Sequence, residues 1–149
     1  MSKRWGTPTW YFLHTLVEKI DSNYYKSVNN SVTDIIVDLL KNLPCPYCKD
    51  HALQYIKKNN IYKIKTREGM KEYLFTFHNL VNKRLKHSTQ NKDILDLYPK
   101  MNFLKVYKYF EKHFFYSSPL SKTFYSWRTS IFKTNLINFL NAHRHKIRL

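Results

Sequence analysis

The sequence predicts an all-α protein in which the first two thirds of the chain form a bundle of four helices. Its 149 residues are 43% apolar and 17% aromatic, which is enough to build one core without disulfide staples. Only two glycines and five prolines are present, too few for the tight turns of an all-β fold. Apolar residues instead recur with the period of a helix, so a helical bundle is expected.

The first two predicted helices lie within residues 7–43. Thr7 followed by Pro8 is a typical helix start, and the first helix is predicted to end near Ile20. The polar segment DSNYYKSVNN that follows is predicted to be a loop. The second helix is then predicted over 31–43, where apolar residues follow one side of the helical period.

Two more helices complete the predicted bundle. Pro44 and Pro46 interrupt the apolar pattern and predict the start of a third helix, which ends near Asn59. The fourth helix is predicted from Thr66 to about Lys86, where apolar residues again recur every three or four positions. Because the loops between these four helices are short, neighbouring helices are expected to run antiparallel.

The chain changes character after residue 98. The helices predicted over 103–116 and 124–143 are strongly aromatic and basic, and residues 99–149 carry +9 of the formal net charge of +16. We therefore divide the chain into a bundle, residues 1–98, and a basic helical extension, residues 99–149. The extension is interpreted as an amphipathic helical pair that covers the bundle or forms a dimer surface. The alternative is a module that binds nucleic acid or an anionic membrane.

The sequence contains no apparent segment for export or membrane insertion. No stretch approaches the roughly 18 apolar residues that span a bilayer, and the N-terminus lacks the pattern of a signal peptide. A cytoplasmic protein is therefore expected. Because reducing couples keep ordinary cytosolic thiols reduced, a lone cysteine pair there favours a catalytic or metal-binding role over a structural one.

Both cysteines, Cys45 and Cys48, lie in the segment LPCPYCKDHALQYI at the predicted start of the third helix. Zinc binding would add His51, and folding could recruit His14 or His78, but structural zinc wants four ligands and no second half-site follows. An inert pair is the second alternative. Redox chemistry is favoured and no metal is expected, because a two-residue spacing permits a readily exchanged disulfide and a helix N-terminus stabilises a thiolate.

Two further clusters suggest a group that accepts electrons from the sulfurs. Trp10 and His14 lie one turn apart on the first helix, and His78 and Asn82 do so on the fourth. Aromatic, imidazole and amide groups that face one cavity suit a flat, polar heterocycle. Each of these residues taken alone is more often an ordinary core residue, so the signal lies in their combination.

In combination, the motifs resemble the FAD-linked sulfhydryl oxidases of the Erv/ALR type. The order is W-G-x-x-x-W-x-x-L-H, then P-C-x-x-C followed by YIKKN, then H-N-x-V-N-x-x-L, over roughly residues 4–97. The resemblance implies a four-helix bundle with a short fifth helix that holds FAD beside the C-x-x-C disulfide. It also implies an enzyme that makes disulfides in client proteins and passes the electrons to FAD and then to dioxygen, giving hydrogen peroxide.

The same resemblance implies roles for individual residues. Cys45 is expected to exchange with the client thiolate, and Cys48 is expected to lie nearest the flavin. The residues expected to bind FAD are Trp5, Gly6, Trp10, His14, His78, Val81, Asn82, Leu85 and Lys86. A homodimer is implied through the outer faces of the first two helices, where apolar surface is offered by Val17, Ile20, Ile36 and Leu40.

The sequence departs from the family pattern in two respects. Many members carry G-K-P where this chain reads KHS at 86–88, so the cation that contacts the FAD phosphates is left open. The candidates are Lys83, Arg84, Lys86 and His87. Distal shuttle cysteines are missing, so clients must reach Cys45 directly or through a thioredoxin-like carrier. Such compact forms resemble those of large DNA viruses, which implies action in the cytoplasm, in a virus factory or in the virion.

Two rival classes are weighed against the oxidase. One is the basic nucleic-acid or membrane-binding module suggested by the net charge of +16. The other is a redox-inactive relative kept as an assembly partner. The second requires both sulfurs and both flavin-side motifs to be retained by coincidence, so the oxidase is favoured.

Overall fold

The computed structural model describes residues 4–116 and 127–149, and within these residues every element of regular structure is a helix. The described part of the chain also contains an isolated antiparallel bridge between Ile20 and Ile147. The α-helices are α1 (Gly6–Lys19), α2 (Ser22–Lys41), α3 (Pro46–Lys58), α4 (Arg67–Arg84), α5 (Phe103–Phe115) and α6 (Trp127–His143). The predicted all-α class is confirmed.

Short 3₁₀ segments connect and end these helices. They are Ile61–Lys63, Lys92–Asp96, Tyr98–Lys100 and Arg144–Lys146. Two of them, at 92–96 and 98–100, lie between α4 and α5. The predicted helices over 44–59, 66–86 and 103–116 are observed with nearly the predicted bounds, and residues 124–126 of the last predicted helix lie outside the described residues.

Two helix starts differ from the sequence prediction. Helix α1 begins at Gly6 with Trp5 at its N-cap, so Thr7 lies inside the helix and does not cap it. The predicted loop at 21–30 is wrong, because these residues form the first half of α2. Asp21 caps that helix by accepting a hydrogen bond from the backbone N–H of Tyr24 at 2.9 Å. Tyr25, which is fully buried, then fixes this first turn in the core.

Helix α1 lies between α4 of the bundle and α5 of the extension. Phe12 is fully buried and stacks on Phe110, with ring centroids 4.4 Å apart and planes at 14°. The buried phenylalanines of the extension are Phe103, Phe110, Phe114, Phe115, Phe132 and Phe139. These rings complete the core of the bundle and are not available for stacking on nucleic-acid bases. The division at residue 98/99 stays a prediction about organisation, since both parts share one core.

Helix α6 runs antiparallel to α2. Near its start, the Thr129 hydroxyl donates to Oδ1 of Asn42 at 3.3 Å, just beyond the end of α2. At its other end, His143 Nδ1 lies 2.6 Å from the hydroxyl of Tyr24 in the first turn of α2. No helix in the described residues is both long and apolar enough to cross a bilayer.

The apolar residues predicted to form a dimer surface are buried within a single chain. Their exposed fractions are 0% for Val17, 1% for Ile20, 0% for Ile36 and 3% for Leu40. The prediction that these four residues form a dimer surface is therefore corrected. The helical period identified them as more apolar surface than one bundle core needs. It could not show that residues of the extension pack into the same core cluster.

The C-terminal residues are attached to the end of α1 by backbone hydrogen bonds. Asp21 N donates to Lys146 O at 2.9 Å, and Arg148 N donates to Lys19 O at 2.8 Å. Phe103 N, at the start of α5, donates to Leu149 O at 2.9 Å. The last residues thus join the end of α1 to the start of α5.

Glu18 is a buried carboxylate at this junction, with 4% of its surface exposed. Its oxygens lie 2.9 Å from Lys71 Nζ, 3.7 Å from Arg67 Nη1 and 3.6 Å from Arg148 Nη2. Two of these cations belong to α4 and one to the C-terminal segment. Glu18 therefore places one negative charge among three positive charges and weakens their mutual repulsion where the extension meets the bundle.

Replacing Glu18 should lower stability far more than replacing an exposed glutamate. Glu18→Gln removes the carboxylate shared by three cations. These cations keep some contact with solvent, and Arg67 retains its ion pair with Glu68 at 2.8 Å, so we expect the free energy of unfolding to fall by about 2 kcal/mol. Glu72→Gln is the matched control, because its ion pair with Lys92 at 2.7 Å is exposed; we expect a loss below about 1 kcal/mol. Urea denaturation measures both, and equal losses would contradict the role given to Glu18.

Candidate active site

Cys45 and Cys48 form a disulfide at the start of α3. Pro46 occupies the first turn of this helix, and Cys45 is its N-cap residue. The backbone N–H of Cys48 donates to Sγ of Cys45 at 3.1 Å. Within the described residues, no group of three or more His, Cys, Asp or Glu side chains is arranged to hold a metal ion. The sulfurs are thus bonded to each other, with a helix N-terminus directed at one of them.

The two sulfurs differ in their access to solvent. Cys48 is buried, with 8% of its surface exposed, and Cys45 is partly exposed. The residues on either side of Cys45, Pro44 and Pro46, are exposed as well. A large thiol reagent therefore reaches Cys45 from outside the protein, and Cys48 faces the interior.

A cavity of about 400 Å³ lies between α3 and α4. Its lining residues are His51, Tyr55, Phe77, Leu80, Val81, Lys83 and Arg84. His51 and Tyr55 follow Cys48 by three and seven residues, so all three lie on one face of α3. The cavity thus has aromatic and aliphatic walls beside the face of α3 that also carries Cys48, and Lys83 and Arg84 add cations to its lining.

A cluster of stacked rings lies beside this cavity. Trp10 of α1 lies face to face on His78 of α4, with centroids 3.9 Å apart and planes at 6°. His14 Nε2 is 3.1 Å from His78 Nδ1, and the His14 ring stacks on Tyr98 at 4.6 Å. Phe77 connects the cluster to the cavity, because it meets Trp10 edge to face at 5.4 Å and also lines the cavity wall.

Burial keeps both histidines of this cluster neutral at physiological pH. Desolvation, with the nearby His78 as a second cause, lowers the pKa of His14 to about 3. Desolvation lowers the pKa of His78 to about 4. The other ring nitrogen of His14, Nδ1, is buried and has no hydrogen-bond partner among the described residues. A neutral, unpaired imidazole nitrogen inside a core is suited to a polar ligand group.

The sequence departs from G-K-P at the end of α4. Lys86 has φ of 60°, a left-handed conformation that glycine adopts most easily. The N–H of His87 donates to the carbonyl of Asn82 at 2.8 Å, and the N–H of Lys86 donates to that of Lys83 at 3.2 Å. These bonds form a Schellman cap, which places a left-handed residue just after the helix. Lysine thus occupies here a position whose backbone conformation favours glycine.

The structure brings some of the residues expected to bind FAD together and leaves others apart. Trp10, His14 and His78 form the ring cluster, and Val81 lines the cavity. Asn82 is buried on the same helix, one turn beyond His78. The remaining expected residues lie at helix ends: Trp5 and Gly6 at the start of α1, and Leu85 and Lys86 just after α4. Their contact with FAD stays a prediction.

Four residues of the site were interpreted from sequence only as core or left unassigned. They are Tyr55, Phe77, Leu80 and Tyr98. The spacing of Tyr55 from Cys48 would have identified it, because two turns of helix return to the same face. Tyr98 had no such signal, since it reaches His14 from a 3₁₀ segment far along the chain.

Comparison with known families agrees with this arrangement. The Erv1/Alr family model matches residues 7–117, which include the disulfide, the cavity and the ring cluster. The chain belongs to the Erv1/Alr family. The match extends through α5, so the Erv1/Alr similarity continues past the bundle into the first helix of the extension.

Individual relatives of the Erv1/Alr family match about half of this chain. The FAD-linked sulfhydryl oxidase of African swine fever virus (isolate Pig/Kenya/KEN-50/1950) is 33% identical over 82 residues, covering 54% of this chain and 67% of the relative. The 096R protein of Invertebrate iridescent virus 3 is 31% identical over 84 residues, covering 56% and 57%. The mitochondrial FAD-linked sulfhydryl oxidase erv1 of Schizosaccharomyces pombe is 30% identical over 81 residues, covering 54% and 44%. No solved structure matches the chain significantly.

The histidine pair should make the protein less stable in acid. Because the pKa values of His14 and His78 are lowered to about 3 and about 4 on folding, the unfolded chain binds more protons below its ordinary histidine pKa near 6.5. Stability is therefore fully present above that pH and is lost as pH falls. We expect the double variant His14→Phe/His78→Phe to lack about 6 kcal/mol of the loss between about pH 7 and pH 4, roughly 3 kcal/mol for each histidine. Chemical denaturation across this range measures it, and parallel curves would contradict the assignment.

Glycine at position 86 should stabilise the protein. Lys86→Gly relieves a left-handed conformation that costs a side-chain-bearing residue roughly 1–2 kcal/mol, and we expect a net gain of about 1 kcal/mol in the free energy of unfolding. Lys83→Gly, three residues earlier and inside α4, is the matched control and should lose about 1 kcal/mol. Thermal unfolding distinguishes the two, and a loss in both variants would show that Lys86 makes a stabilising contact.

Proposed function

We propose that this protein is a FAD-dependent thiol oxidase that makes disulfides in client proteins through Cys45 and Cys48. The observation that carries the proposal is the disulfide at the start of α3, with one sulfur partly exposed and the other buried on the face that leads to the cavity. The names of the viral and yeast relatives support the same activity. The partly exposed cysteine suits exchange with a client, and the buried cysteine suits electron transfer, so the two tasks are assigned to different sulfurs.

The sulfur chemistry follows from the different exposure of the two cysteines. A client thiolate attacks Sγ of Cys45, the Cys45–Cys48 bond breaks, and Cys48 leaves as a thiolate. A second client thiolate then attacks the mixed disulfide, which forms the client disulfide and releases Cys45. The backbone N–H of Cys48 donates to Sγ of Cys45. Together with the positive end of the helix, it stabilises the thiolate that Cys45 forms on release.

The residues around the cavity fit a flavin. A volume of about 400 Å³ with aromatic and aliphatic walls suits a flat ring system, and the cations of Lys83 and Arg84 suit phosphate groups. Two buried nitrogens, His14 Nδ1 and Arg84 Nε, have no hydrogen-bond partner in the part of the chain that the structure describes, and they offer polar contacts to such a ligand. Trp10 and His78 lie too close for a third ring to enter between them, so they border a ligand at their edges or separate to admit it.

Bound FAD would accept two electrons from the reduced Cys45 and Cys48, which would re-form their disulfide, and would pass the electrons to dioxygen to give hydrogen peroxide. The protein contributes position and exclusion of water. Cys48 presents its sulfur on the inner face of α3, and Phe77 and Tyr55 stack at 4.7 Å to form one wall beside it. Lys83 and Arg84 offset negative charge, and we favour these two over Lys86 and His87 as the phosphate contacts because both line the cavity.

The expected partners follow from the same chemistry. The substrate is a thiol-bearing client or a thioredoxin-like carrier that reaches Cys45 directly. We place the reaction in the cytoplasm, a virus factory or a virion, by analogy with the viral relatives. The homodimer stays a proposal, and its surface must be sought away from Val17, Ile20, Ile36 and Leu40, which are buried.

Serine variants of the two cysteines test the proposal. Both Cys45→Ser and Cys48→Ser should abolish thiol-dependent peroxide production, because neither can form the exchanging disulfide. They should differ in their visible spectra. Cys45→Ser leaves the buried Cys48 as a thiolate facing oxidised flavin, which should add a broad long-wavelength charge-transfer band that fades as the thiolate is protonated. Cys48→Ser should lack the band and should trap a client on Cys45 as a mixed disulfide.

The double variant Cys45→Ser/Cys48→Ser is the control, and it should keep the flavin spectrum without the added band. A colourless wild-type protein that cannot be reconstituted with FAD would refute the proposal. The band in Cys48→Ser in place of Cys45→Ser would reverse the roles of the two sulfurs. Normal turnover in either single variant would remove the pair from the mechanism.

A further inference from the structure

The start of α6 lies beside the loop that carries the disulfide. The hydrogen bond between Thr129 and Asn42, 3.3 Å long, joins this helix to the C-cap of α2. Asn42 precedes Cys45 by three residues, so at most about 11 Å of chain separates their Cα atoms. Phe132, 2% exposed, packs on Phe114 and Phe115 in the core and fixes α6 one turn beyond the contact.

Two exposed aromatic side chains flank this junction. Tyr47, between the two cysteines, is 60% exposed, and Trp127, at the start of α6, is 70% exposed. Tyr47 is nevertheless held in place: His51 meets its ring edge to face at 4.4 Å, and the guanidinium of Arg84 lies 5.3 Å from its centroid. Large rings that are exposed but held in place lose little conformational freedom on binding, which is typical of anchor residues at interfaces.

The charges around these rings are positive. Arg128 is exposed, and its guanidinium carbon lies 5.8 Å from the centroid of the Trp127 ring. Residues 127–149 contain several lysines and arginines but no aspartate or glutamate, and Asp50 is the only acidic residue between positions 39 and 67. A partner that approaches Cys45 therefore meets rings and cations from two distant parts of the chain.

We infer that Tyr47, Trp127 and Arg128 form a docking surface for an acidic, aromatic-containing client segment around its reactive cysteine. The inference rests on the proposed function and adds the class of client. Charge complementarity carries it, because a carboxylate beside the client cysteine pairs with the guanidinium of Arg128 while an apolar ring contacts Tyr47 or Trp127. The extension thereby contributes to client selection as well as to the core.

Binding of unreactive peptides tests the docking surface without requiring turnover. The probes are a short fluorescent peptide with glutamate and phenylalanine around a serine in place of cysteine, and its counterpart with lysine for glutamate. Fluorescence anisotropy with the full-length protein should show that the acidic peptide binds at least about tenfold more tightly, a difference that added salt reduces.

Paired variants separate local docking from general attraction to a basic protein. Trp127→Ala/Arg128→Glu should weaken the acidic peptide by about tenfold and strengthen the lysine peptide, because one aromatic anchor is lost and one charge is reversed. Leu104→Ala/Lys108→Glu is the matched control, an exposed apolar and basic pair on α5; it should change either affinity by less than about twofold. Equal losses in the two variants, or no loss in the first, would overturn the docking surface.

Oxidation of dithiothreitol by the wild-type protein distinguishes the two levels of the proposal. If dithiothreitol is oxidised and the peptide preference is missing, the docking surface fails and the proposed function stands. If dithiothreitol is not oxidised by the FAD-loaded protein, the proposed function fails, and the assignment of this surface to clients fails with it.

Discussion

Helix α1 is buried along most of its length, and the rest of the fold follows from the need to cover it. One side carries Trp10 and His14, which pack on α4 through His78. Phe12 packs on α5 of the extension. Since burying a large apolar side chain contributes roughly 1.5–3 kcal/mol, a bundle without α5 would leave a costly apolar face in water. The extension is therefore part of the folded unit. Near the end of α1, Glu18 forms ion pairs with Arg148 of the extension and with Lys71 of α4.

The chemistry of the site depends on the start of α3, where one cysteine is partly exposed and the other is buried. The N-cap position leaves Cys45 partly exposed, and one helical turn places Cys48 on the buried face towards α4. The same turn supplies the amide that donates to Cys45. Because exchange with a client needs access and electron transfer to a cofactor needs exclusion of water, these local constraints separate the two tasks within four residues.

Helix α6 of the extension contacts both ends of α2, and one of these contacts lies beside the disulfide loop. Residues near the end of α6 meet the start of α2 through His143 and Tyr24, and residues near its beginning meet Asn42 beside the disulfide loop. An antiparallel helix that is fixed at both ends cannot shift along its partner without breaking one contact. The position of Trp127 relative to the redox loop is thus determined by the same packing that covers the core.

The sequence by itself determined the bounds of α3, α4 and α5 closely, because capping and apolar period are local properties; Pro46 and Thr66 predicted the starts of α3 and α4 correctly. It also determined the family, since three motifs in order are specific where each alone is not. Only the tertiary structure decided that residues 21–30 are helical, because Tyr25 gains its stability from burial and not from its neighbours in sequence. It alone decided that Val17, Ile36 and their neighbours are covered, and that Thr129 meets Asn42. Contacts between residues so far apart depend on how whole helices pack, and a periodic pattern shows which face of a helix is apolar but not what will cover it.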